Sequence, residues 1–176
     1  RLPERGVDMR KIALEVGSDV PFMLTGGLAR VRGAGEDMYF MGNKLDLFAI
    51  GIMGEQVSTA KAYAEFDRLY GDFTYCPTDN AKLSDLLMSG DKAATAMFDN
   101  ALYEPAAKLA PSIKSNMDLL KSVGAAACLT GSGGMALGWF TDITELATAA
   151  AKLKGKCEYR VFATAKTGVA HEWIEK

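Results

Sequence analysis

Apolar residues along the chain follow two rhythms. Met9, Ile12, Ala13 and Val16 recur at helical spacing, which predicts a short helix over 8–16 that stops at Gly17. Pro21 suits a first helical turn and predicts a second short helix over 20–25, ended by Gly26-Gly27. "GLARVRG" and "DMYFM" alternate weakly and predict a hairpin around the Gly33–Gly35 turn. "LDLFAIGIM" is a mostly apolar run, predicted as a central strand. Ser58 or Thr59 is predicted to cap a helix over "AKAYAEFDRLY". A loop over 71–80 leads to helices at about 81–88 and 91–98. Another helix begins near Tyr103, and Pro111 opens a longer one through Val123. "AAACLT", "GSGG" and "MALGWF" read as strand, tight turn and strand. Asp142 or Thr144 caps a helix to about Leu153, and "CEYRVFAT" reads as a final strand.

From about Leu45 the order is strand, helices, strand–turn–strand, helix, strand. That order predicts an α+β fold, an antiparallel sandwich with helices on one face, over 43–176. Residues 1–42 hold one helix, one turn and one hairpin, and read as the remnant of a different unit. The chain opens at Arg1 in a loop-like "RLPERG", which reads as the middle of a protein. Ile12, Val16, Phe22, Met23 and Leu24 would then have lost the strands they pack on. A second copy is expected to cover such a face, giving a homodimer, or the region is poorly ordered.

Composition narrows the function classes. The 176 residues are 49% hydrophobic and 24% charged, as in a soluble globular protein. A net charge of −2 gives no electrostatic footprint for nucleic acid, and no block of Lys or Arg suggests a membrane surface. No apolar run reaches bilayer length and no signal-peptide pattern is present. Cys76, Cys128 and Cys157 have wide, unpatterned spacing, which supports neither a disulfide framework nor a zinc site. Cys128 lies in an apolar run and is expected to pack as a small hydrophobe. The expected compartment is reducing and cytoplasmic. The only histidine, His171, leaves no room for a His triad or a His-rich metal site.

Three stretches could carry chemistry, and each has a plainer reading. In Gly17-Ser18-Asp19-Val20-Pro21, Asp19 is either a helix cap or a general base that takes a proton from a substrate hydroxyl. Thr130-Gly131-Ser132-Gly133-Gly134 is either a flexible hairpin turn or a nest whose backbone N–H groups approach an anion. In Val57-Ser58-Thr59 with Tyr63, the aromatic either packs in the core beside Phe66 or forms a ledge. Thr59 and Tyr63 are four apart and share a helix face, so the ledge would offer a hydroxyl, a helix N-terminus and a ring for stacking.

In this order the stretches resemble the GHMP small-molecule kinases, and within them the branch acting on a cytidine-diphosphate conjugate of methylerythritol. The resemblance rests on "GSDVPFMLTGGLARVRGAGE", on "VSTAKAYAEFD", and on "NALYEPAAKLAPSIKSNMDLLKSVGAAACLTGSGGMALGWF". It spans nearly the whole chain. It implies a GHMP-kinase C-terminal domain, ferredoxin-like with a mostly antiparallel sheet, over 43–176. Residues 1–42 would then be a remnant of the N-terminal, ribosomal-S5-like ATP-binding domain. It implies ATP-dependent phosphorylation of the conjugate's 2-hydroxyl on the non-mevalonate route to isoprenoid precursors, with ATP and Mg²⁺ as cofactors. Asp19 matches the catalytic aspartate. Gly131, Ser132, Gly133 and Gly134 match a phosphate-proximal glycine turn. Ser58, Thr59 and Tyr63 match the substrate loop and the aromatic that stacks on cytosine.

The family's glycine-rich ATP loop and its N-terminal lysine are absent and are expected upstream of Arg1, so the chain alone is expected to be inactive. Met53-Gly54-Glu55-Gln56 stands where the family has Pro-Gly before the Val-Ser-Thr stretch. Other GHMP kinases, of the mevalonate-pathway or homoserine type, and a non-catalytic ferredoxin-like binding module are the competing readings.

Overall fold

The computed structural model describes residues 8–42, 44–71 and 78–164. The chain divides into two compact units, Arg1–Asn43 with Thr164–Lys176, and Lys44–Ala163. In the first unit, helix α1 spans Met9–Val16 and α2 spans Val20–Thr25. The Asp8 side chain accepts hydrogen bonds from the amides of Arg10 and Lys11, both at 3.1 Å, which fixes where α1 starts. Strands β1 (Leu28–Arg32) and β2 (Asp37–Met41) pair antiparallel, from Leu28 opposite Met41 to Arg32 opposite Asp37. The Arg10 guanidinium donates to the Glu36 carbonyl at 2.9 Å and ties α1 to the hairpin turn. Ile12, Val16, Met23 and Leu24 are all exposed, and Phe22 is half-buried.

The second unit is a four-stranded sheet with order β4-β5-β3-β6, antiparallel throughout. Its strands are β3 (Phe48–Met53), β4 (Ala126–Thr130), β5 (Met135–Phe140) and β6 (Arg160–Ala163). Its helices are α3 (Thr59–Tyr70), α4 (Asn80–Ser89), α5 (Tyr103–Leu109), α6 (Pro111–Ser122) and α7 (Ile143–Leu153), with a 3₁₀ helix over Lys92–Met97. Side chains alternate across the strands. Ile50, Ile52, Ala136 and Phe140 therefore share one face and pack against Met117 and Leu120 of α6 and Leu146 and Leu153 of α7. Each of the Ile, Leu, Met and Phe side chains among them contributes about 1.5–3 kcal/mol on burial. At Gly138 in β5 the sheet leaves no room for a side chain beneath α6. A methyl group there would lie 2.9 Å from the Leu120 side chain and 2.7 Å from Ala125 Cβ.

Several boundaries differ from the sequence reading. The apolar run from Leu45 becomes strand only at Phe48, although Leu45 and Leu47 are buried all the same. Apolarity reports burial, and burial does not require a strand partner. Over 91–98 the chain forms a 3₁₀ helix rather than an α-helix, ending at an extended Phe98 whose ring meets the edge of Trp139 at 5.4 Å. The last strand is only Arg160–Ala163, at the sheet edge and exposed along its length. Asn80 begins α4 instead of ending a loop, because Asp79 supplies the cap through the amides of Ala81 and Lys82. Residues 72–77 of that predicted loop, with Cys76, lie outside the described residues, as does His171. Cys128 is half-buried rather than purely packed: its sulfur accepts from Trp139 Nε1 at 3.2 Å, and burial raises its thiol pKa.

Asp142 caps α7 through the amides of Thr144 (2.6 Å) and Glu145 (3.1 Å), and Thr144 lies inside the helix. Backbone donation from Glu145, then from Thr144, holds the Asp142 carboxyl below its ordinary pKa. A carboxylate depressed in the folded state stabilises the fold above its unfolded pKa, and that contribution is lost as pH falls through the lower folded value. Thermal melting from neutral pH down through the carboxylate range should therefore drop less steeply in Asp142→Asn, which keeps a capping oxygen without a titration, than in the wild type. Equal acid slopes would remove Asp142 from the account.

Candidate active site

Asp19 lies in the first unit, at the N-cap position of α2. Its backbone carbonyl accepts from the Met23 amide at 3.1 Å, but its side chain makes no capping hydrogen bond. The capping role open to it on spacing alone is therefore not used; Pro21 in the first turn already removes one of the amides a cap would serve. The Asp19 side chain is exposed. Its segment is held by the hairpin: a Cβ on Gly35 (φ +99°) would run into the Ser18 carbonyl oxygen, so only glycine permits the approach. The second glycine of "GAGE", sixteen residues after Asp19, thus shapes the ground on which Ser18-Asp19 rests.

The other two stretches meet in the second unit. Thr59 Oγ1 and Ser132 Oγ are hydrogen bonded at 2.8 Å, joining the first residue of α3 to the middle of the β4–β5 turn. Ser58 is the N-cap of α3 by backbone geometry, with no side-chain capping bond, and Thr59 is the first helical residue rather than a cap. The hydroxyls of both are thus spared from the helix, and Thr59 spends its own on the turn. Gly131, Gly133 and Gly134 adopt φ of 58°, 132° and 101°, values that favour glycine. A Cβ on Gly133 would lie 3.1 Å from Val57 Cβ, so the turn packs tightly on the segment before α3. The Gly54 amide donates to the Gly134 carbonyl at 2.7 Å, closing the exit of the turn. Between them is a cleft of about 340 Å³ lined by Met53, Gln56, Val57, Thr130, Gly133, Gly134 and Met135.

Tyr63 is 55% exposed and does not pack in the core; Phe66 is half-buried and meets the Tyr70 ring at a tilt of 48°, ring centroids 4.8 Å apart. The helix spacing explains the split: Ala62 is the buried residue of α3, and the one-residue step to Tyr63 turns its ring outward. Helix α3 is braced to α5. Tyr70 donates to Glu104 Oε2 at 2.6 Å, and that bond, followed by burial, raises the Tyr70 pKa. Glu65 pairs with Arg68 at 2.6 Å and reaches Lys108 of α5 at 3.9 Å; the Arg68 hydrogen bond is the main reason its carboxyl is held low.

One residue of this region was not legible as a site residue. Asn100 Nδ2 donates to the carbonyls of Leu129 and Gly131, both at 2.8 Å, while its Oδ1 accepts from the Leu102 amide at 2.8 Å. In the sequence it is an Asn shortly before a helix and the first residue of the third stretch that carries the resemblance, and neither signal says what its side chain would hold. Among the described residues, no cluster of three or more His, Cys, Asp or Glu side chains could hold a metal ion. Mg²⁺ is commonly carried by substrate phosphates with one or two carboxylates, so its binding does not require such a cluster. No helix among the described residues is long and apolar enough to cross a membrane.

No protein-family model matches the chain. The 4-diphosphocytidyl-2-C-methyl-D-erythritol kinase of Streptomyces avermitilis is 34% identical over 150 residues, covering 82% of this chain and 50% of the relative. A crystal structure of 4-(cytidine 5'-diphospho)-2C-methyl-D-erythritol kinase superposes with a TM-score of 0.70 at 25% identity, over 93% of this chain and 58% of that one. Homoserine kinase from Cytophaga hutchinsonii, 18% identical, shares the fold with a TM-score of 0.55, over 84% of this chain and 51% of that one. The chain spans about half the length of the curated relatives it matches. Three sequence stretches in family order, two of them joined by the Thr59–Ser132 bond, and an antiparallel α+β unit with this fold place the chain in the GHMP kinase superfamily, with the 4-diphosphocytidyl-2-C-methyl-D-erythritol kinases.

Proposed function

We propose that this chain is the substrate-side part of a small-molecule kinase that phosphorylates an alcohol on a cytidine-diphosphate conjugate, 4-diphosphocytidyl-2-C-methyl-D-erythritol. Residues 43–176 are the substrate-side domain, and 1–42 are a remnant of the ATP-binding domain carrying the Asp19 motif. The observation that supports this most is the 2.8 Å bond between Thr59 and Ser132, because it draws a glycine turn and a helix start to one place, with an exposed aromatic ring one turn along. Backbone amides of the turn and of the α3 N-terminus suit phosphate oxygens. Tyr63 suits the face of a nucleobase.

In the reaction, Asp19 accepts the proton of the substrate hydroxyl as its oxygen attacks the γ-phosphorus of ATP. The bond to the bridging oxygen breaks and ADP leaves with that electron pair. Phosphoryl transfer asks the protein mainly for positioning and charge stabilisation, and bound Mg²⁺ would supply charge neutralisation on the phosphates. A working compartment in the cytoplasm and a homodimer covering the exposed Ile12, Val16 and Met23 belong to the same reading.

Ligand choice tests it. Cytidine diphosphate should raise the melting temperature of the chain, while mevalonate and homoserine should not. Tyr63→Ala should leave the melting temperature unchanged, since the ring is mostly in solvent, and weaken cytidine diphosphate about fivefold, the low end of what one stacked base is worth. A larger shift with homoserine or mevalonate would move the assignment to another branch of the superfamily. No shift with any of the three would count against the reading.

A further inference from the structure

We infer that Asn100 is a positioning residue, which sets the glycine turn at the spacing that helix α3 requires; its functional meaning rests on the kinase reading above. The turn over Gly131–Gly134 carries little side chain and has three residues at positive φ. Glycine backbone has the most conformational freedom to lose, so such a turn does not hold a shape by itself. Three contacts pin it: Gly54 at its exit, Thr59 on Ser132 at its middle, and Asn100 at its entry.

The Asn100 contact differs from the other two. One half-buried side chain uses both amide hydrogens and its carbonyl oxygen at once, each at 2.8 Å. β4 is an edge strand, so a donor to the Leu129 carbonyl is what any exposed edge would welcome. The second bond, to the Gly131 carbonyl, falls beyond the end of the strand, where the sheet has no need of it. The third, from the Leu102 amide, anchors the clamp to the start of α5. Helix α5 is itself bound to α3 through Tyr70–Glu104 and Glu65–Lys108. So one short helix is tied both to α3, through its charged and phenolic partners, and to the glycine turn, through Asn100. Only an amide at this reach provides two donors and an acceptor; Asp lacks the donors and Leu lacks all three.

The test is Asn100→Asp, which keeps the acceptor for Leu102 and loses both donors. Amide hydrogen exchange over 130–135 should speed up about tenfold, the size expected for lost hydrogen bonds, while Ile50 and Ile52 in β3 keep their protection. Cytidine diphosphate should bind about tenfold more weakly well below the melting temperature. Unchanged exchange in the turn, or equal loss of protection in β3, would overturn the proposal, as would undiminished binding in a variant whose wild type binds. If the wild type does not bind cytidine diphosphate, the kinase reading fails, and the exchange data still decide the role of Asn100. If the variant does not fold, the Asn100 side-chain amide protons of the wild type settle it: they should exchange slowly, and exchange at the rate of a solvent-exposed amide would refute the clamp.

Discussion

Under the proposed function, Asn in place of Asp19 is expected to lower phosphoryl transfer by a factor of about 10²–10⁴ and to leave the melting temperature where it was. The measurement needs a protein extended to the length of the relatives, of which this chain spans about half. Both parts of the expectation come from one observation. The carboxylate sits at the start of α2 yet gives the helix no hydrogen bond, since α2 is closed at that end by the Asp19 backbone carbonyl and by Pro21. Removing the charge therefore costs the fold nothing that the helix was using. Asn keeps the shape and the polarity but cannot take a proton at neutral pH, so an alcohol would have to attack without a base. A drop in melting temperature with full activity would reverse the assignment and make Asp19 a structural residue.

The second large effect falls on the turn. Gly133→Ala should destabilise the second unit by about 1–3 kcal/mol, the cost of forcing a side chain into a glycine-only backbone, and should abolish any measurable cytidine diphosphate binding. Two penalties coincide at this residue. Its φ of 132° is far from what an L side chain adopts, and its new methyl would meet Val57 Cβ at 3.1 Å and Ile113 Cδ1 at 3.4 Å. Ile113 is fully packed in α6, and Val57 precedes the helix that carries Thr59 and Tyr63, so relief of the clash moves the turn away from α3. Gly131→Ala is the control. Its φ is 58°, in the ordinary left-handed region, with nothing within 4 Å of the new Cβ. It should cost about 1–2 kcal/mol and retain part of the binding. Equal losses in the two variants would mean that backbone freedom alone matters and that the packing on Val57 does not.

Much of this protein was written in local pattern. Helical spacing, the first-turn prolines Pro21 and Pro111, and the Asp142 cap placed α1, α2, α6 and α7, because such signals act within a few residues of chain. The antiparallel α+β arrangement followed from element order, since hairpins and short connections leave few alternatives. The three candidate stretches were visible as residue types in order. Their roles were not. Asp19 with a capping bond and Asp19 without one have the same sequence, and only the folded geometry shows that the bond is not made. Tyr63 in the core and Tyr63 in solvent have the same spacing, and only the packing of Ala62 decides. Thr59 and Ser132 are 73 residues apart, Asn100 and Gly131 are 31 apart, and no periodicity reaches so far. Those contacts exist because the sheet and α5 bring distant backbone to hydrogen-bond distance, which makes them a property of the assembled fold.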